Sequence, residues 1–594
     1  MRLVQLYPLD WGIILAYFVF VFIVGLWYTR RAGQSVESFF ISGRTLPWWL
    51  LGISMVATTF STDTPNLVAD LVRTHGIAGN WLWWAMLVTG MVTTFFYAKL
   101  WRRSGALTDL EFYEFRYSGK AAAVVRGFRA LYLGVFFNCI IMAAVTMAAM
   151  KIGSVFGLSR LHVAIVCNLV TLIYCVMSGF WAVVVTDLFQ FVIAMAGSIA
   201  MAHYVLQRPE VGGLSKVVEK LDVSALSLLP DFSNPGVWIP LFFIPFAVQW
   251  WSTWYPGAEP GGGGYIAQRM LATPTESGAM KATLIFQVAH YALRPWPWIV
   301  VALASMIVFP SLGALRAVLP AEIPDQIVKN DIAYPVMMRF LPHGLLGMML
   351  ASLAAAYMST IDTHLNWGAS YVINDFYRRF LRPTASERHH VTMARLSTVV
   401  LMIMGTALAF AFQNAQQTFQ IMLQVGAGTG AIYILRWYWW RINAWSEVAG
   451  MVGSFVVAVG FYLLDRCAPT GCEAALPFLF GVWRLPVSVG LTTACWLIVT
   501  FLTKPESTEH LEKFYEKVRP GGWWGPVKRP PFDAGSGWKL NIVGVLLGCF
   551  SVYAMLLGVG EMLIGKYPML GFAALASGLV ALLIVTGIIQ RKGD

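Results

Sequence analysis

Hydrophobic positions along this chain come in long runs, each punctuated by a short polar or basic cluster. About fifteen runs are long enough to cross the ~30 Å of hydrocarbon in a bilayer. They lie near 10–29, 48–72, 79–100, 125–157, 161–181, 183–206, 236–256, 283–309, 344–374, 391–413, 417–440, 447–465, 484–503, 541–565 and 570–590. Two of them carry polar groups in their interior. In 344–374, Ser359, Thr360, Asp362, Thr363 and Asn366 follow an alanine-rich turn. Read helically, Ser359, Asp362, Thr363 and Asn366 fall at i, i+3, i+4 and i+7 and share one face. Ser359 or Thr360 taken singly reads as a hydroxyl bonding its own helix. The group as a whole presents oxygen donors suited to a small hard cation. In 48–72, hydroxyls surround Asp63 and Pro65 in mid-span. Proline frees carbonyls upstream, and in lipid these must find a partner, so this span is expected to break. Freed carbonyls at mid-depth are a device for cation coordination, and an intramembrane carboxylate marks function.

Composition fixes the class. The 594 residues are 58% hydrophobic and 12% charged, with mean hydropathy +0.65, which identifies an all-α polytopic membrane protein. The net charge of +12 is spread over loops between spans and forms no nucleic-acid patch. By the positive-inside rule, the side bearing Arg30, Arg31, Arg102, Arg103, Arg126, Arg269, Lys281, Arg378 and Arg436 is cytoplasmic. The N-terminus is then expected outside and the C-terminus inside. The first span ends on a stop-transfer flank and carries no cleavable signal pattern. Five of the seven cysteines lie in spans as small apolar residues. Cys467 and Cys472 flank an expected external loop, where a structural disulfide is one possibility. No metal-ligand spacing, nucleophile elbow or phosphate loop is visible, so an enzyme is not expected.

Several motifs in order resemble the sodium:solute symporter family, whose members carry sugars, proline, sialate or iodide. They are Ser42-Gly43-Arg44 with Pro47-Trp48-Trp49, the broken span, Gly179 through Thr186-Asp187 to Gln190, Tyr265-Ile266-Ala267-Gln268-Arg269, and Met358-Ser359-Thr360 leading to Asn366 and Asp375. The similarity runs over about 30–445. It implies a LeuT-like fold, a 5+5 inverted repeat with about 15 transmembrane helices. Residues 1–47 would form an extra first helix and loop, 48–206 the first repeat, and 236–440 the second. Residues 441–594 would add four helices, with a cytoplasmic loop near 504–540.

Carried over by motif, the resemblance implies a sodium site made of the carbonyls of Ala57, Phe60 and Ala356 with the hydroxyls of Ser359 and Thr360. Asp187 resembles the acidic residue that some relatives use for coupling or for a second sodium. Asp187, Asp362 and Thr363 are therefore candidates for a second cation or a proton, and Asp362 departs from the family's usual small residue. The family binds its solute at mid-membrane, which puts Asp63, Trp83, Asn138, Trp251, Trp254, Tyr255, Gln287, His290, Arg294 and Gln424 forward as solute or coupling candidates. Trp83 stands near the position where sugar carriers place an acidic ligand. Arg294 lies ~20 Å along the helix from Lys281, at mid-bilayer, and needs an anion: Glu259, Asp63 or a solute carboxylate. The glycine-rich insertion 257–264 is expected to be an irregular loop at the cytoplasmic mouth. The implied activity is sodium-coupled symport of a small polar organic solute (sugar, sugar acid or other organic anion) by alternating access. A sodium-independent uniporter or channel, or a proton-coupled symporter, is the alternative. Sodium is the coupling ion, no other cofactor is expected, and the partners are the solute and the lipid bilayer. A multi-pass location in the inner or plasma membrane follows, with a monomer as the simplest assembly.

Overall fold

The computed structural model describes residues 6–32, 36–255, 257–321, 323–411, 422–467, 481–527 and 537–593. Among these residues the apolar runs become helices, and eleven are long and apolar enough to cross a membrane. In chain order the elements are α1 (Pro8–Ala32), α2 (Trp48–Thr58), α3 (Asp63–His75), α4 (Ile77–Ser104), α5 (Gly119–Val155) and α6 (Arg160–Leu206). They continue with α7 (Gly264–Leu271), α8 (Glu276–Val308), α9 (Leu345–Leu381), α10 (Glu387–Ala409), α11 (Ala444–Cys467), α12 (Gly481–Leu502), α13 (Trp538–Ile564) and α14 (Pro568–Gly593).

Four of the expected runs behave differently, each for a physical reason. The run at 48–72 divides into α2 and α3, with Thr59 to Thr62 non-helical between them. Pro65 sits in the first turn of α3, where its missing amide costs nothing, and Asp63 faces that helix's positive end. The run at 161–181 is continuous with 183–206 in α6, yet the two arms fold back on one another. The Tyr174 hydroxyl lies 2.6 Å from that of Thr186, whereas a straight helix would set these residues ~18 Å apart. The run at 236–256 stops at Ser252 and resumes as α7. The run at 417–440 falls partly outside the described residues, which leave a short helix at Gly430–Leu435.

The glycine-rich insertion is this second break. Its backbone is irregular, as expected, and residues 259–264 are buried throughout, with Gly257 packed on Thr59 of the first break. Glycines at 257, 261, 262 and 264 all take positive φ, so the backbone reverses where a side chain would forbid it. Backbone polar groups freed here must be paired inside the protein. The partner is the segment 426–428: Trp254 N donates to the Gly426 carbonyl at 3.2 Å and Gly428 N to the Ser252 carbonyl at 2.8 Å. A Cβ at 426 would stand 2.5 Å from the Trp254 carbonyl oxygen, which explains a glycine at that position.

Two discontinuous helices thus face each other, and α5, α6, α8 and α9 pack around them. On one side the segment after α8 is locked onto α3 and α5. Lys151 Nζ pairs with Asp331 Oδ2 at 2.7 Å, both side chains being buried, and Arg73 reaches Asn330 Oδ1, Ser305 O and Phe309 O at 3.1, 3.0 and 2.8 Å. On the other side Arg126 pairs with Asp375 at 2.7 Å and Glu114 at 2.6 Å, and Arg103 with Glu276 at 2.7 Å. Cys139, Cys167, Cys175, Cys495 and Cys549 are free thiols. Cys472, and with it the considered disulfide, lies outside the described residues.

Candidate ion and solute site

The break between α2 and α3 and the polar stripe of α9 meet in the interior. The Ser359 hydroxyl donates to the Ala57 carbonyl at 2.9 Å, with the Ala356 carbonyl at 3.2 Å. The Thr360 hydroxyl donates to the Thr58 carbonyl at 2.8 Å, again with Ala356 O at 3.2 Å. Ala57, Phe60, Ala356, Ser359 and Thr360 are all at most 3% exposed. The oxygens that meet here, those of Ala57, Thr58, Ala356, Ser359 and Thr360, include no carboxylate; no such contact is seen for the expected Phe60 carbonyl among the described residues.

One turn further along α9, Thr363 joins a second cluster. Arg269 Nη2 donates to the Thr363 hydroxyl at 2.7 Å, and Thr363 Oγ1 lies 3.0 Å from Thr58 Oγ1. Arg269 Nε donates to Ser54 Oγ at 3.1 Å, and Ser54 in turn donates to Asp187 Oδ2 at 2.5 Å. Arg269 and Asp187 form a direct ion pair at 3.7 Å. Asp362 is left out of these contacts: both its oxygens are buried without a hydrogen-bond partner, as is Asp187 Oδ1. Arg269, Asp187 and Asp362 are fully buried, so two carboxylates face one guanidinium and the cluster is one positive charge short. Arg269 comes from α7, a residue that the motif Gln268-Arg269 contained but whose role only the folded chain reveals.

Beside these clusters lies a cavity of about 100 Å³. Asp63, Trp83, Tyr255, His290 and Arg294 line it, together with Thr59, Tyr265, Tyr291, Thr360 and His364. A π-helical turn at Val288–Leu293, followed by Pro295 at the start of the next helical stretch, turns His290 and Arg294 inward. Arg294 Nη2 lies 3.1 Å from His290 Nε2, and His290 Nδ1 lies 2.9 Å from Thr59 Oγ1. Arginine can only donate, so Nε2 accepts, the ring is neutral, and its Nδ1 proton goes to Thr59. The Arg294 Nη1 donates to the same Thr59 oxygen at 3.1 Å, while its Nε has no partner. Neither expected protein anion neutralises Arg294 directly. Glu259 lies against Asp109 and Gly264, and no ion pair within 4.0 Å joins Asp63 to Arg294. Asp63 instead accepts from Ser61.

The remaining solute candidates divide. Trp83 stacks on Tyr291 with ring centres 5.7 Å apart and donates to Asn80 at 3.0 Å. Asn138 stands behind the wall: it donates to the His364 carbonyl at 2.8 Å and accepts from His364 Nδ1 at 2.7 Å, so it orients a histidine that does line the cavity. Trp251, Trp254, Gln287 and Gln424 are not among the lining residues. Trp254 packs on Phe137 at 4.9 Å, and Trp251 donates to the Ala247 carbonyl. His364 sits in the polar stripe of α9, where its position between Thr363 and Leu365 gave no sign that it faces the cavity.

A polytopic helical core with two facing broken helices and a buried polar cavity between them defines a membrane transporter, not an enzyme. The profile of the sodium:solute symporter family matches residues 39–453, and the chain belongs to that family. The sodium/glucose cotransporter of Vibrio parahaemolyticus is 24% identical over 472 residues, covering 77% of this chain and 86% of the relative. Sodium/glucose cotransporter 1 of Oryctolagus cuniculus is 24% identical over 552 residues, covering 86% and 81%. A sodium/mannose cotransporter of Bos taurus is 26% identical over 523 residues, covering 82% and 85%. Among solved structures, the substrate-bound outward-open state of a Na+-coupled sialic acid symporter has the same fold, with a TM-score of 0.63. It is 17% identical, and the match covers 84% of this chain and 99% of that one.

Proposed function

We propose that this protein couples inward sodium movement to the uptake of a small polar organic solute. The observation that carries the reading is the meeting of the Ser359 and Thr360 hydroxyls with the carbonyls of Ala57 and Thr58 at a helix break. Five oxygens from Ala57, Phe60, Ala356, Ser359 and Thr360, with no carboxylate among them, suit a monovalent cation selected by cavity size and ligand number. Asp187 and Asp362 supply a second place for one positive charge, a second sodium or a proton. Thr363, whose oxygen already accepts from Arg269, contributes less to it than its position in the motif implies.

For the solute, the cavity combines aromatic faces with an arginine that no carboxylate among the described residues pairs with within 4.0 Å. The relatives named above carry glucose, mannose or sialic acid according to their names. A solute bearing hydroxyls and a carboxylate matches the chemistry of both the rings and Arg294, and a sugar acid is the class we put first. The architecture we propose is the 5+5 inverted repeat over 48–206 and 236–440. One helix precedes it and four follow within 441–594, some fifteen spans in all, with the N-terminus outside and the C-terminus inside. Sodium bound at the first break would favour the outward-open, solute-competent state.

The test is uptake into proteoliposomes of labelled glucose, glucuronate, sialate, proline and lactate, with an inward sodium gradient, with an inward proton gradient and with neither. Accumulation of at least one of them under the sodium gradient alone is expected. Equal equilibration under all three conditions would identify a uniporter, and accumulation under the proton gradient alone a proton symporter.

A further inference from the structure

Asn138 of α5 and His364 of α9 make two hydrogen bonds that fix one another's atoms. Asn138 Nδ2 donates to the His364 main-chain carbonyl at 2.8 Å. A carbonyl only accepts, so the amide nitrogen stands on that side and Oδ1 on the other. Oδ1 lies 2.7 Å from His364 Nδ1. An amide oxygen also only accepts, so Nδ1 carries a proton. Gly368, one turn further along α9, makes room for this pairing, since a Cβ there would collide with Asn138 Nδ2.

With Nδ1 protonated, the ring is either neutral with a bare Nε2 or an imidazolium. A buried imidazolium needs an anion against it. His364 is 2% exposed and pairs with no carboxylate within 4.0 Å among the described residues. Asp63 lines the same cavity but accepts from Ser61. The charged group bonded to the neighbouring Thr363 is a cation, Arg269, which opposes a second proton on the ring. His364 is therefore neutral, with a lone pair on Nε2.

That nitrogen is unused. Tyr265 and Trp367 pack on the ring edge-to-face, with centres 5.5 and 5.6 Å away, and Nε2 bonds to no described residue. Nδ1 is turned to Asn138 behind the wall, so the Nε2 edge is the one given to the cavity that His364 lines. His290, in the same cavity, differs: its Nε2 accepts from Arg294 and its Nδ1 donates to Thr59.

We infer that His364 is a solute-binding residue whose bare Nε2 accepts a hydrogen bond from a hydroxyl of the solute while Arg294 takes the solute's carboxylate. The inference rests on the solute reading above and adds to it the second group that is recognised. An ether or a fluorine in place of that hydroxyl is refused, because neither can donate. His364 follows Thr360 by one turn of α9, and both line the cavity. A hydroxyl held by His364 thus bears on the turn that also carries an oxygen of the proposed ion shell.

The test uses the full-length protein in lipid nanodiscs. Diethyl pyrocarbonate acylates an imidazole nitrogen only where a lone pair is free. At neutral pH without solute, peptide mass spectrometry should find His364 modified, as the exposed His75 is, and His290 spared. An unmodified His364 beside a modified His75 overturns the inference, and so does preferential modification of His290. The second measurement compares the binding of glucuronate with that of its monodeoxyfluoro derivatives. One derivative should bind wild type about tenfold more weakly than glucuronate does, the loss of one buried hydrogen bond. In His364→Phe that derivative and glucuronate should bind alike. If glucuronate binds and no derivative behaves so, His364 takes no hydroxyl and the inference falls with the solute reading intact. If neither glucuronate nor any other solute of the uptake panel binds, the solute reading fails, and the first measurement decides whether His364 offers its lone pair. Should His364→Phe fail to fold, protection of His364 from the reagent by glucuronate supports the inference, and its absence overturns it.

Discussion

Thr59 Oγ1 lies 2.9 Å from His290 Nδ1 and 3.1 Å from Arg294 Nη1, and the carbonyl immediately before it in the chain, that of Thr58, receives the Thr360 hydroxyl at 2.8 Å. Three successive residues at the first break therefore address three neighbourhoods. Ala57 offers its carbonyl to Ser359, Thr58 places its side chain against Thr363, and Thr59 holds the basic wall of the solute cavity. Coupling between two ligands requires one element whose position both of them bias. In the proposed function residues 57–59 would be that element, since a shift of one residue's backbone moves all three contacts together.

The proposed ion shell should respond to its hydroxyls. Ser359→Ala with Thr360→Ala removes two of five oxygen ligands and leaves the carbonyls in place. The sodium concentration giving half-maximal uptake should rise at least about tenfold, since each lost ligand is worth about 1 kcal/mol or more. The maximal rate at saturating sodium should fall less. An unchanged sodium dependence would sink the assignment.

Thr59→Val keeps the shape of the side chain and deletes the oxygen that His290 and Arg294 share. Both groups then lose a partner in a buried site, and solute affinity should weaken by about tenfold or more. The Thr360 contact is made to a backbone carbonyl and survives the substitution. Sodium should therefore still raise the melting temperature of the solute-free protein by the wild-type amount, whereas the further rise on adding solute should shrink. Loss of both responses together would mean that Thr59 is needed for folding and not for solute contact.

Much of this arrangement was legible before any coordinates, because in a membrane protein misplaced polarity is costly and therefore informative. Asp63 and Pro65 announced the first break, and the spacing of Ser359, Asp362, Thr363 and Asn366 announced a polar face. The second break was harder to place. A run of four glycines next to Pro260 reads as a loop, and loops belong at the membrane surface unless something pairs their backbone. Here Asp109 and Trp101 pair the backbone of Gly264 and Gly261, and Gly426 and Gly428, some 170 residues further on, pair that of Trp254 and Ser252; one-dimensional periodicity carries no trace of either. Long-range polar pairings were invisible for the same reason. That Asn138 would be taken up by His364, and Thr363 by Arg269, depends on which helix faces which.

We predict that Asp362 sets the charge carried with the solute. Arg269 neutralises Asp187 across 3.7 Å, and Asp362 has no cation of its own among the described residues. If the cluster takes up one positive charge in each cycle, Asp362→Asn removes the need for it. The charge moved per solute molecule, read from the reversal potential of proteoliposome transport, should drop by one elementary charge while uptake remains sodium-dependent through Ser359 and Thr360. An unaltered reversal potential would make Asp362 a static member of the core.

The pair Lys151–Asp331 ties α5 to the segment after α8, and its energetics follow from its burial. Both side chains are at most 2% exposed and 2.7 Å apart, and Asp331 Oδ1 has no second partner. Asp70 is also close by and buried. Removing the lysine leaves a carboxylate desolvated beside another acid, a loss of about 3–5 kcal/mol for breaking a buried pair. Lys151→Met should therefore lower the stability of the nanodisc-reconstituted protein steeply in chemical unfolding. The double variant Lys151→Met, Asp331→Leu should recover most of the loss, because two apolar side chains of similar volume need no hydration. The segment that carries Asp331 also receives Arg73 through Asn330, so it stays docked in the double variant but without its charge lock. Transport should then continue with a higher rate of sodium leak in the absence of solute, measured as 22Na+ entry into proteoliposomes. If the single and double variants are equally unstable, the interaction between the two residues is not what holds this segment docked, and Arg73 with its three contacts becomes the group to test.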